Sequence, residues 1–167
     1  LFAAHTIRAN GGRVGLSLAD AQCVDRHRDM LKNLLTDKID IVLANEAEAL
    51  ALAQSDTIDD INATAAWLHA QKPDGGLDGA ITLSAKGALV LGAKPHHVAA
   101  EKIDDVVDLT GAGDQFAAGF LGGLMHGKSP QQAAEIGVIM ASEVIRHFGP
   151  RPQHDIKKVM AAHNLHF

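Results

Sequence analysis

Cysteine is almost missing from this sequence. Cys23 is the single one, which excludes an internal disulfide and a zinc site clamped by several thiolates, and fits a reducing, cytoplasmic setting. Basic charge is in deficit: 15 Lys and Arg stand against 20 Asp and Glu, a formal net charge of −5. No basic field is available to hold nucleic acid. The densest basic stretch, Asp25-Arg26-His27-Arg28-Asp29, is broken by acids and reads as the solvated face of a helix. Long apolar runs are also missing, none reaching the roughly 18 residues of a membrane span. No secretory signal is expected, because Leu1 to Arg8 lacks a charged region ahead of a long apolar one, and Asn62-Ala63-Thr64 then matches the glycosylation pattern only by chance. A G-x-S-x-G nucleophile motif, internal repeats and low-complexity linkers are absent from the sequence. The ten histidines show no metal-ligand spacing. His96 and His97 would point to opposite faces of a strand, and His126, His147 and His154 share no ligand period, so they read as solvated or core residues.

What is present is the composition of a globular domain, 47% hydrophobic and 21% charged over 167 residues. A single α/β domain over residues 1–167 is expected. The first residue is Leu1 rather than Met, and Ala3, Ala4 and Ile7 resemble the end of a helix closing at Gly11-Gly12. The chain is therefore expected to belong to a longer protein. Arg13 to Leu18 is strand-like, Val24 to Leu35 carries apolar residues at helical spacing, and Ile39 to Ala44 is a second β-branched run. Asn45 is an N-cap candidate for a helix beginning Glu46-Ala47-Glu48. Thr57 or Asp59 can start another helix, ended by Pro73-Asp74-Gly75-Gly76. Gly79 to Ser84, Ala88 to Leu91 and His96 to Ala99 predict an antiparallel meander turning at Lys86-Gly87. Helices are predicted over Gly111 to His126, Ser129 to Phe148 and Gln153 to about Leu165. Strands alternating with helices predict a three-layer α/β/α domain with a mostly parallel sheet.

The sharpest motif is Asp108-Leu109-Thr110-Gly111-Ala112-Gly113-Asp114, followed at once by the apolar run Gln115 to Leu121. Consecutive N–H groups from Thr110 to Gly113 predict an anion nest at the positive end of a helix. Asp114 falls in the first turn, where its carboxylate can take a proton from a hydroxyl attacking a terminal phosphate. A capping Asp in a tight turn explains one acid and one glycine, but not the whole set. Asn45 and Glu48, three residues apart on one helix face, can hold hydrated Mg²⁺ through shared waters. Taken alone they read as a capping pair; the glycine loop turns the reading toward the cation. Gly122-Gly123-Leu124-Met125-His126-Gly127-Lys128-Ser129 satisfies the Walker A spacing and offers an alternative, a P-loop nucleoside triphosphatase. The residues before it continue a helix, however, so Gly127 reads better as a helix end, Ser129 as an N-cap and Pro130 as the next helix's first residue. A non-catalytic nucleotide-binding domain is the second alternative.

On these residues the chain resembles the ribokinase-like carbohydrate kinases, the PfkB family. Asp108 to Asp114 matches the family signature D-T-x-G-A-G-D except at Leu109, and Asn45 with Glu48 matches its N-x-x-E motif. The resemblance runs from Arg13 to Gly149-Pro150-Arg151-Pro152. It implies a ribokinase-like fold and transfer of the γ-phosphoryl of ATP, with Mg²⁺, to a hydroxymethyl group of a nucleoside or sugar. Asp114 is implied as the catalytic base and Gly111, Ala112 and Gly113 as the anion hole. Ser84 and Gly87 would approach ATP, and Asn45 and Glu48 would position Mg²⁺ and phosphate. Carbonyls around Asp108 and Thr110 and near His147 to Gly149 resemble a monovalent-cation (K⁺) site. Ser17-Leu18-Ala19-Asp20, Cys23-Val24 and Arg26-His27-Arg28 look like the adenosine-kinase-like branch. The family's N-terminal half, with its acceptor-binding Asp, Gly-Gly motif and lid, is not visible. The chain thus resembles the C-terminal, ATP-binding half, and the implied partners are a small nucleoside or sugar and a second copy through the lid half, with neither nucleic acid nor membrane.

Overall fold

The computed structural model describes residues 2–54 and 60–165. Helix α1 (Phe2–Ala9) closes where the Gly12 N–H reaches back 2.9 Å to the Ile7 carbonyl, at the predicted glycine pair. Five strands, β1 (Gly15–Ser17), β2 (Ile41–Asn45), β3 (Asp78–Thr82), β4 (Ala88–Val90) and β5 (His96–Val98), make one sheet in chain order. β1 pairs parallel to β2 and β2 parallel to β3, with Gly15 opposite Ile41 and Ile41 opposite Asp78. Ile41 to Ala44 are all buried, as the unbroken apolar run of a parallel strand requires. Around the 3₁₀ turn Ser84–Lys86, the Leu83 N–H bonds the Gly87 carbonyl and the Leu91 N–H bonds the Gly79 carbonyl. Those two bonds share one index sum, which is antiparallel pairing. The sheet is therefore mixed.

By its contacts the chain divides into two compact units, Leu1–Thr82 with Leu89–His96, and Leu83–Ala88 with His97–Phe167. In the first unit, helix α2 (Ala21–Asp37) extends beyond the predicted Val24 to Leu35 because Asp20 caps it, accepting from the N–H groups of Gln22 and Cys23. It kinks at His27, beside which Arg28 Nε donates 2.8 Å to the Ala51 carbonyl of α3 (Glu46–Ala53). Helix α4 (Ile61–Ala70) is capped by Asp60; the predicted starts at Thr57 and Asp59 lie outside the described residues. Val24, Leu35, Val42, Leu52, Leu68 and Ile81 are fully buried. Asp40 is buried as well, its carboxylate accepting from the Val14 N–H and from Lys72 Nζ.

The second unit is built on α5 (Ala112–Met125), α6 (Pro130–Val144) and α7 (Ile156–Ala162). α5 and α6 touch backbone to backbone: a Cβ on Gly119 would lie 2.8 Å from Gly137 Cα, and one on Gly137 would lie 2.8 Å from Phe116. Phe116 and Phe120 stack along α5 with ring centroids 6.1 Å apart. Ile136 and Ile139 of α6 meet Met160 of α7 in a buried cluster. Two predicted boundaries are corrected here. α6 stops at Val144 rather than Phe148, and α7 starts at Ile156 rather than Gln153. The cause is non-local: the Ile145 carbonyl accepts from the Val107 N–H, and the N–H groups of Gln153 and His154 go to the Glu143 carboxylate.

Candidate active site

The glycine motif lies on the turn entering α5. Gly111 is the N-cap, in the left-handed region at φ 81°, which a glycine adopts without penalty. Asp108 braces the turn. Its Oδ1 accepts from the Thr110 N–H at 2.9 Å and from the Thr110 hydroxyl at 2.7 Å, and its Oδ2 accepts from the Gly149 N–H at 3.0 Å. Those donors, Gly149 first and then Thr110, hold the Asp108 carboxyl below its ordinary value. The Ala112 N–H bonds the Leu109 carbonyl at 3.2 Å. Two of the four predicted nest amides, those of Thr110 and Ala112, are thus engaged within the loop. Among the described residues no protein oxygen accepts the N–H of Gly111, Gly113 or Asp114. These are orphan donors of a helix N-terminus, free to meet an anion. Gly113 and Asp114 are exposed.

The two glycines differ in what the protein asks of them. A Cβ on Gly111 would lie 2.5 Å from Pro150 Cβ, so this position is glycine for packing and for φ alike. Gly113 has no positive φ, and a Cβ there would find nothing within 4 Å. The fold supplies no reason for its missing side chain.

Asn45 and Glu48 form a complete capping box at the end of β2. Asn45 Oδ1 accepts from the Glu48 N–H at 2.9 Å, and Glu48 accepts from the Asn45 N–H (3.0 Å) and from Nδ2 (2.7 Å), one donor on each carboxylate oxygen. Glu48 is buried. Each oxygen keeps a lone pair beyond its single donor, so the pair fits a hydrated cation held through water. Among the described residues no group of three His, Cys, Asp or Glu could enclose a bare ion. Ser84 stands exposed at φ 52° in the 3₁₀ turn. Gly87 is buried at φ 99°, and a Cβ there would lie 2.0 Å from the Val98 carbonyl, so backbone and packing both demand that glycine.

A family model described as pfkB family carbohydrate kinase matches residues 1–156. The chain belongs to that family. It is 32% identical over 126 residues to a cytidine kinase of Thermococcus kodakarensis, covering 74% of this chain and 43% of that one. It is 34% identical over 125 residues to an adenosine kinase of Schizophyllum commune, covering 68% and 36%. The crystal structure of adenosine kinase from Sinorhizobium meliloti superposes with a TM-score of 0.85 at 36% identity, covering 98% of this chain and 48% of that one. The fold is ribokinase-like. The chain spans less than half the length of each of these relatives.

The alternative P-loop at Gly122 to Ser129 is excluded in this pfkB-family chain. Gly122 and Gly123 are interior to α5, and Gly123 packs against Ala133. The helix ends with the Gly127 N–H on the Leu124 carbonyl and the Lys128 N–H on the Gly123 carbonyl, and Ser129 opens a capping box with Gln132. Those amides are committed to two helix ends and cannot wrap a phosphate. Sequence reasoning missed Glu143, on which His147 and His154 meet. Its only local signal was a lone acid at the end of the apolar run Ile136 to Val144.

Proposed function

We propose that this protein is an ATP- and Mg²⁺-dependent kinase that phosphorylates a hydroxymethyl group of a nucleoside or sugar, with an adenosine-like nucleoside favoured over ribose or fructose. The observation that carries the reading is Gly113: an exposed glycine in ordinary helical conformation, with its N–H unpartnered and open space where its Cβ would be. Such a position admits a bulky anion against the backbone. Asp114, next in the chain and exposed on the same turn, is the general base. In this reading its carboxylate takes the acceptor hydroxyl proton as that oxygen bonds to the γ-phosphorus in line, and the bond from phosphorus to the β–γ bridging oxygen breaks with ADP leaving. Gly111 and Gly113 donate to the equatorial oxygens of the transferred group; Ala112 contributes backbone shape, since its own N–H is engaged. Asn45 and Glu48 are the residues that would hold Mg²⁺ through water, and the bound ion would supply positive charge toward phosphate.

Ser84 and Gly87 belong to the proposed nucleotide side. A K⁺ ion on the carbonyls around Asp108, Thr110 and 147–149 is part of the same reading, supported by the Asp108 carboxylate tying those two segments together. Residues 1–167 would act as one ATP-binding and catalytic C-terminal half in the cytoplasm, with acceptor, lid and dimer contact supplied outside them. The adenosine lean is supported by the similarity to the Schizophyllum and Sinorhizobium adenosine kinases, and the similarity to a cytidine kinase keeps the base open within nucleosides.

The test is Asp114→Asn in the full-length protein, with nucleotide affinity and phosphoryl transfer measured separately. Turnover is expected to fall by about 10²- to 10⁴-fold with ATP binding largely intact. Unchanged turnover removes Asp114 from the chemistry. ATP binding by the wild type without transfer to any nucleoside or sugar would leave a nucleotide-binding module and no kinase.

A further inference from the structure

Glu143 is an acid on the last turn of an otherwise apolar helix face, and it is only 5% exposed. A carboxylate taken out of water needs donors to replace its hydration. Oε1 has them: it accepts the N–H groups of Gln153 and His154, each at 3.0 Å, and lies 2.9 Å from His154 Nδ1 and 3.3 Å from His147 Nε2. Oε2 is buried with no hydrogen-bond partner among the described residues. Burial pushes the carboxyl up, yet the His154, Gln153 and His147 donors hold it below its ordinary value. All of these donors sit on the segment between α6 and α7. The carboxylate fastens that segment to α6.

The same segment also holds the glycine motif. The Ile145 carbonyl accepts the Val107 N–H at 2.9 Å, Gly149 donates to Asp108 Oδ2, and the Pro150 carbonyl accepts from Gln115 Nε2 at 3.1 Å. Pro150 is packed so closely on Gly111 that no side chain fits between them. A shift of the segment therefore moves Asp108 and Gly111 together. We propose that Glu143 is a positioning residue: by fastening residues 145–154 it fixes the Asp108–Gly111 loop, and through that loop the direction of the Gly111 and Gly113 amides. It touches no reacting group. The inference rests on the kinase reading only for the phosphate those amides would meet; the link from Glu143 to the amides rests on the bonds just described.

The experiment compares the full-length wild-type protein with its Glu143→Gln and His154→Ala variants, using amide resonances, thermal unfolding and steady-state transfer from ATP to adenosine. In Glu143→Gln the Gly111 and Gly113 amide resonances are expected to move while those of β2 stay in place. kcat should fall on the order of 10²-fold, with KM for adenosine nearly unchanged, as misplaced donors predict. His154→Ala removes one donor at a 70% exposed side chain and should shift the same resonances less. A lower melting temperature with unmoved glycine amides and unchanged kcat would show a purely structural role and overturn the proposal. Should Glu143→Gln fail to fold, unmoved glycine amides in His154→Ala overturn it equally. A full-length wild-type protein that neither binds nucleotide nor transfers phosphate sinks the kinase reading instead, and the glycine resonances still decide the positioning claim.

Discussion

Gly111 and Gly113 stand two residues apart on one turn and are glycine for opposite reasons. Alanine at Gly111 must adopt a left-handed backbone and overlap Pro150, so Gly111→Ala should destabilise the fold by about 2 kcal/mol or more. Alanine at Gly113 meets nothing and lowers the entropy of the unfolded chain, so Gly113→Ala should stabilise by roughly 0.5 kcal/mol. On the proposed reading the same Gly113→Ala protein should bind nucleotide more weakly, because a methyl group would stand in the way of the phosphate. Urea unfolding and calorimetric ATP titration of both variants check this. Gain of stability with unaltered ATP affinity would remove Gly113 from the anion site. In the sequence the two glycines look alike; the left-handed backbone of Gly111 and its contact with Pro150 separate them.

At the scale of elements, ends fixed by neighbours in sequence were legible. The Asn45–Glu48 box, the Gly127 closure of α5 and the Ser129–Pro130 start of α6 each need only residues within a few positions, so the pattern alone predicts them. The end of α6 was not legible. It is set by the Val107 N–H and by Glu143, partners that no local window contains. The α5–α6 crossing is of the same kind, since Gly119, Gly123 and Gly137 permit a backbone approach that an amphipathic pattern does not reveal. Gly137→Val should force the helices apart against Phe116 and cost about 3 kcal/mol or more, read as a lower urea midpoint. A change within about 0.5 kcal/mol would mean that the crossing tolerates a side chain and is not as tight as described.

For the molecule as a whole, two buried carboxylates tie stability to pH, one in each compact unit. Burial pushes Asp40 up, but the Lys72 ammonium and the Val14 N–H bring it below its ordinary value of 3.8. Glu143 lies below 4.5 for the reasons given above. A carboxyl held lower in the folded than in the unfolded chain contributes stability above its unfolded value and loses it as pH falls through the folded one. The melting temperature should therefore be insensitive to these groups above about pH 5 and drop steeply below about pH 4. Asp40→Asn should melt lower at neutral pH and show a shallower acid slope. An unchanged slope would mean that the Lys72 and Val14 bonds do not hold the carboxyl down. The family assignment also belongs to this scale, resting on residues 1–156 together rather than on the signature alone.

The sequence by itself determined the order of strands and helices, the glycine turn entering α5 and the capping pair after β2. These are local properties: capping, periodicity and turn chemistry act between residues a few positions apart. Tertiary structure alone decided why Gly87 and Gly111 must be glycine, where α6 stops and what Glu143 holds. Each of those depends on a backbone group brought close from a distant part of the chain, and distance along the chain does not encode that approach.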